Sequence, residues 1–144
     1  MISPKIRETG ESIIMKFLVG YDGSPQSKDA LDLAKKHALA FKAKIFVVTS
    51  LFGEKDTTPR DIEQAEEGLE YAKRNLADSG IEAETHLLVH GVTPGEDLVE
   101  FAKEKEIDQI FVGVKKVSPV GKMIFGSNAR HVILNAPCPV LSVK

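Results

Sequence analysis

Short blocks of consecutive apolar residues alternate along the chain with longer segments in which apolar residues recur three or four apart. Residues 16–21 form an apolar run ended by Asp22-Gly23, the pattern of a buried strand. Residues 45–51 form a second, rich in β-branched side chains. Residues 83–89, 108–113 and 139–143 read as three more. Between the first two, Ser24-Pro25 supplies a helix cap with proline in the first turn, and Ala30, Leu31, Ala34, Ala38 and Phe41 follow at helical spacing. Ile62, Ala65, Leu69, Ala72 and Leu76 mark a second helix that stops near Ser79-Gly80. Thr93-Pro94-Gly95-Glu96 has the spacing of a capping box and opens a third helix running to about Glu106. Residues 127–135 predict a fourth.

Strand and helix alternate from residue 16 to the last residue. Apolar strands bridged by helices imply a parallel sheet covered on both faces, an α/β fold built as a three-layer α/β/α sandwich. Ligands of such sheets sit beyond the carboxyl ends of the strands, at the point where strand order reverses. Those ends carry Tyr21-Asp22-Gly23, Thr49-Ser50, His90-Gly91 and the segment after Gly113. Residues 1–15 lack either period, so they are expected to form an N-terminal extension, flexible or adding an edge strand through Ile13-Ile14. Residues 16–144 are expected to form a single domain.

Charge and composition narrow the partners. A chain of 144 residues can bury a core without disulfides or metals. The formal net charge of −2 provides no global field for nucleic acid or an anionic membrane, and neither is expected as a partner. The single Cys138 cannot form an internal disulfide, and the sequence shows neither a signal peptide nor a long apolar span. A cytoplasmic location is the expectation.

The candidate chemistry lies near the C-terminus. The apolar strand ending at Gly113 empties into a basic loop, residues 114–125, that carries Lys115, Lys116 and Lys122 and closes on Gly126-Ser127. Loops of this length inside a compact domain are uncommon and usually functional or disordered. A Gly-Ser step opening a helix offers backbone N–H groups and a hydroxyl to an anion, so phosphate binding is the natural reading. Blander roles stay open: Asp22 holding its own turn, Ser127 capping a helix, the lysines solvated, Cys138 packed at a strand entrance. His86 and His90 are roughly 13 Å apart if both lie on an extended strand, too far to share a metal. Other chemistries fail on residues. Gly121-Lys122 lacks the first glycine and the Ser or Thr of a Walker A loop, and no Gly-x-Gly-x-x-Gly follows the first strand. No strand–Ser–helix elbow supports a nucleophile. The third strand ends in Val89-His90, where a phospho-acceptor receiver domain would need an aspartate. No dedicated catalyst emerges; slow hydrolysis of a bound phosphate ester is the most the site would support, with no general base to assign.

The Tyr-Asp-Gly-Ser-Pro turn, the Val-His-Gly-Val-Thr-Pro segment and the tail Gly-Ser-x-Ala-x-x-Val-Ile-x-x-Ala-Pro-Cys-Pro-Val-Leu occur in this order on alternating strands and helices. On these residues the chain resembles the universal stress protein family from about Lys16 to Lys144. The resemblance implies a five-stranded parallel sheet of order 3-2-1-4-5, of the adenine nucleotide alpha hydrolase-like kind. One branch of the family binds ATP through Gly-x-x-Gly, nine residues, then Gly-Ser or Gly-Thr. Gly113 and Gly126-Ser127 match that pattern, while Lys116 stands at the second glycine and brings a side chain and a positive charge instead. In the binding reading Asp22 contacts the ribose hydroxyls or the adenine edge, and Ser50 contacts adenine. Gly113 and Val114 pack on the ribose, Lys115 and Lys116 add charge, and Gly126, Ser127 and Asn128 hold phosphates. The implied ligand is ATP, ADP or AMP, with Mg²⁺ bridging phosphates. Occupancy of the 114–125 loop would modulate an unidentified protein partner. The alternative is a stress-response scaffold that binds no nucleotide and acts as a dimer. Either way, the apolar last strand at a sheet edge implies a homodimer paired through residues 139–143.

Overall fold

The computed structural model describes residues 5–6, 12–53, 57–114 and 126–144. Two short strands, β1 (Lys5–Ile6) and β2 (Ser12–Ile13), pair antiparallel with each other, apart from the main sheet. The alternating core follows: β3 (Lys16–Gly20), α1 (Pro25–Phe41), β4 (Lys44–Ser50), α2 (Pro59–Asp78), β5 (Ala83–Leu88), α3 (Pro94–Glu104), β6 (Gln109–Gly113), α4 (Ser127–Asn135) and β7 (Val140–Val143). The five main strands are all parallel and lie in the order β5-β4-β3-β6-β7, which counted from β3 is 3-2-1-4-5.

The central strands are apolar on both faces because helices cover both. Phe17, Val19, Ile45, Val47 and Phe111 pack on one side against Ala30, Leu31 and Ala34 of α1 and Leu69, Ala72 and Leu76 of α2. Leu18, Phe46, Val48, Ile110 and Val112 face the other side, against Leu98, Val99, Phe101 and Ala102 of α3 and Val132 of α4. Fully burying one such Leu, Ile or Phe stabilises by about 1.5–3 kcal/mol. The rings of Phe17 and Phe111 meet across adjacent strands with centroids 5.3 Å apart.

Local signals set the helix ends. Ser24 caps α1 by accepting from the Ser27 N–H at 3.1 Å. At α2, Thr58 accepts from the Asp61 N–H and the Asp61 carboxylate accepts from the Thr58 N–H, a complete capping box. The box expected at α3 is half formed. Thr93 accepts from the Glu96 N–H at 3.3 Å, and that helix stops at Glu104, short of the predicted Glu106, which takes a positive φ of 53°.

Candidate nucleotide crevice at the switch point

β3 hands its chain to α1 on one face of the sheet, while α3 and α4 flank β6 on the other. The carboxyl ends of β3 and β6 are therefore where the connections diverge, the position at which open parallel sheets hold ligands. Three adjoining hollows open there. One, of about 160 Å³, has an apolar floor of Gly20, Val48, Leu98, Val112 and Val132, with Asp22, Ser50 and Asn128 on its rim. A second, of about 240 Å³, runs over Gly113 to the start of α4 at Gly126, Ser127 and Asn128. A third, of about 360 Å³, lies on the α2 side of Ser50. Asp22 lines all three. Ser50 and the α4 terminus thus mark opposite ends of one groove, with Asp22 between them.

Glycines keep this groove open. A Cβ at Gly20 would stand 3.0 Å from Leu98 Cδ1 and 3.4 Å from Val112 Cγ1, side chains that form the apolar floor. At Gly113 a Cβ would lie 2.5 Å from the Gln26 carbonyl carbon, so this glycine is required by the approach of α1 to β6 whatever the ligand. Gly126 differs. It caps α4 with φ −58° and no side-chain hydrogen bond, and among the described residues nothing lies within 4 Å of a Cβ built there.

The polar groups are held from below. Asp22 Oδ1 accepts from the Ser24 N–H at 2.9 Å, closing the turn into α1. Burial pushes the Asp22 carboxyl up, but the hydrogen bonds from Ser24 and Ser27 outweigh it and hold the group below its ordinary 3.8. Asn128 spends its side-chain oxygen on the Gly95 N–H, 3.0 Å away, tying α4 to the first turn of α3. Gly95 allows that contact, since a Cβ on it would meet the Asn128 carbonyl oxygen at 2.9 Å. Asn128 can therefore offer an anion its backbone N–H, with its amide oxygen already engaged. Ser127 is the first residue of α4 and Gly126 is its cap, so the capping role open to Ser127 falls to its neighbour.

Ser50 has the most elaborate support. Its hydroxyl lies 2.7 Å from Asp97 Oδ2, and Asp97 Oδ1 lies 2.7 Å from His90 Nδ1. The Asp97 side chain is 3% exposed and that of His90 61%. Hydrogen bonding to Asp97, followed by its charge, raises the His90 imidazole above its ordinary 6.5. The sequence placed His90 at a strand end and weighed it only as a metal ligand; Asp97 went unread, its one signal being an acidic residue at an apolar position of the α3 stripe. Val114 lies outside the groove: it is buried, and its N–H donates to the Val143 carbonyl at 2.7 Å. Lys115 and Lys116 lie outside the described residues. His86 stands apart, stacked on Phe46 with its ring tilted against Phe101, and His37 lies edge-on to Phe111. Among the described residues no three His, Cys, Asp or Glu side chains could share a metal, and no helix is long and apolar enough to cross a membrane.

A parallel sheet of order 3-2-1-4-5 with a glycine-lined groove at its switch point defines a doubly wound α/β domain. The sequence model of the universal stress protein family matches residues 14–144, and the chain belongs to that family. It is 33% identical over 136 residues to a universal stress protein of Thermus aquaticus, covering 88% of this chain and 96% of the relative. A universal stress protein structure from Archaeoglobus fulgidus superimposes with a TM-score of 0.84 at 41% identity, over 92% of this chain and all of that one. Another from the same organism, in complex with dAMP, does so with a TM-score of 0.78 at 36% identity, over 92% and 99%.

Proposed function

We propose that this chain is an adenine-nucleotide-binding regulatory protein, taking ATP, ADP or AMP in the groove. The base lies toward Ser50, the ribose at Asp22, and the phosphates at Gly126, Ser127 and Asn128. The observation that carries the reading is the unfilled start of α4. Among the described residues no side chain caps Gly126, which leaves backbone N–H groups of the first turn for an anion where the helix dipole favours one. The dAMP complex of the archaeal relative supports the same ligand class. Gly113 serves chiefly the contact with Gln26, with any packing on the ribose secondary. Asp22 is the single carboxylate among the described residues lining the phosphate end. Mg²⁺ would therefore be held through the nucleotide phosphates with at most Asp22 from the protein, the usual habit of that ion. Its chemistry when bound is to neutralise phosphate charge. The sequence carries Lys115, Lys116 and Lys122 between Gly113 and Gly126, and occupancy of residues 114–125 is the signal a partner protein would read. The acting unit is a homodimer joined through residues 139–143.

Calorimetric titration of nucleotide-stripped protein with ATP, ADP and AMP, with and without Mg²⁺, tests this reading. Micromolar binding is expected. Gly126→Asp should abolish it by placing a carboxylate at the phosphate end, and the fold should survive, since no described atom lies within 4 Å of a Cβ there. No heat at millimolar nucleotide would overturn the proposal in favour of the dimeric scaffold, as would unchanged partner capture by the Gly126→Asp protein.

A further inference from the structure

The chain from Ser50 to Asp97 to His90 settles which way the Ser50 hydroxyl points. An ionised carboxylate only accepts hydrogen bonds. Both groups facing Asp97, each at 2.7 Å, must then donate: Ser50 gives its hydroxyl hydrogen to Oδ2, and His90 carries a proton on Nδ1 facing Oδ1. A serine hydroxyl has one hydrogen. With that hydrogen committed to Asp97, the Ser50 oxygen lines the groove with lone pairs alone.

We propose that Asp97, braced by His90, makes Ser50 a fixed acceptor at the base end of the groove, selecting 6-aminopurines over purines lacking that amino group. The proposal rests on the reading that a nucleotide binds with its base toward Ser50. Ser50 is a specificity-determining residue; Asp97 and His90 are positioning residues that act through it. A 6-amino group donates to the lone pairs Ser50 presents. A 6-oxo group sets lone pair against lone pair. Ser50 could turn its hydrogen toward that carbonyl only by leaving an oxygen of the buried Asp97 without its donor, and such an orphaned group is costly. Sites built around a fixed buried polar partner reject ligands of the wrong polarity more strongly than apolar pockets reject a wrong shape.

The test is calorimetric titration of the full chain with AMP, IMP and purine riboside 5′-monophosphate, which carry an amino group, an oxo group and hydrogen at the same ring position. AMP is expected to bind at least about tenfold more tightly than either analogue, equivalent to about 1.4 kcal/mol. Ser50→Ala should still bind AMP but bring all three within about twofold. Ser50→Thr, which keeps the hydroxyl, should restore the preference. Asp97→Asn, whose amide can donate to Ser50 and release its hydrogen toward the groove, should shift the ratio toward IMP. If that variant fails to fold, the two Ser50 substitutions decide alone. Equal affinity of the unaltered protein for AMP and either analogue, or an undiminished preference in Ser50→Ala, would overturn the inference and leave nucleotide binding standing. Absence of binding by all three nucleotides would remove both.

Discussion

Asp22 both closes a turn and lines the candidate groove. Its Oδ1 closes the turn by accepting from the Ser24 N–H, the plain structural role the sequence allowed, and the same carboxylate lines every hollow of the groove. Because its pKa lies below 3.8 in the folded protein, the ionised form is the one the fold favours. The sign follows from linkage. The stabilisation is present above the unfolded pKa and lost as pH falls through the folded value. Asp22→Asn should therefore cost about 0.5–1 kcal/mol near neutral pH, and urea unfolding curves of the two proteins should converge as pH drops below about 4. A gap that stays constant down to pH 2 would show that the charge contributes nothing. Asp22 was legible because its turn is local. The Ser50–Asp97 bond was not, since its partners are 47 residues apart and meet only when α3 docks beside β4.

Between elements, the contact most sensitive to one atom is that of α1 with β6. A Cβ on Gly113 would meet backbone and side-chain atoms of Gln26 at 2.5–2.7 Å, and backbone at the first turn of a capped helix cannot yield cheaply. Gly113→Ala should destabilise the protein by about 1–3 kcal/mol, toward the upper end of that range, measured as a lower urea midpoint at unchanged slope. Gly126→Ala, with no described atom within 4 Å of the added Cβ, should leave the midpoint close to that of the unaltered protein. Equal midpoints for both variants would mean that α1 shifts to absorb the methyl group. The sequence marked both glycines through one motif, yet could not separate a packing requirement from a binding one, because that depends on what each Cβ would touch. Element types were easier to read, since strands buried on both faces run apolar and amphipathic helices keep their period. The finer ends were not. The Thr58–Asp61 box lay inside a polar connector and went unread, whereas the more conspicuous Thr93–Glu96 box makes only one of its two bonds.

For the molecule as a whole, strand alternation implied layers and a parallel sheet, while strand order followed from the family resemblance, since periodicity carries no information about neighbours. That order leaves β7 at one border of the sheet, paired on one side to β6. The Val143 carbonyl is turned inward to the Val114 N–H, and backbone groups of successive strand residues alternate sides, so those of Ser142 face the border at which no described strand pairs. Beside it, α4 exposes Ile133 at 40% and Leu134 at 69%. An open strand edge flanked by apolar side chains favours pairing with a second copy, and a two-fold axis would set β7 antiparallel to its mate and continue the sheet across both subunits. Light scattering at micromolar concentration should give twice the chain mass of 15.7 kDa. Ser142→Pro should give the monomer mass with the fold retained, because proline is tolerated on an edge strand where the lost N–H points outward. A monomeric unaltered protein would eliminate the dimer, and a dimeric Ser142→Pro protein would move the interface away from β7.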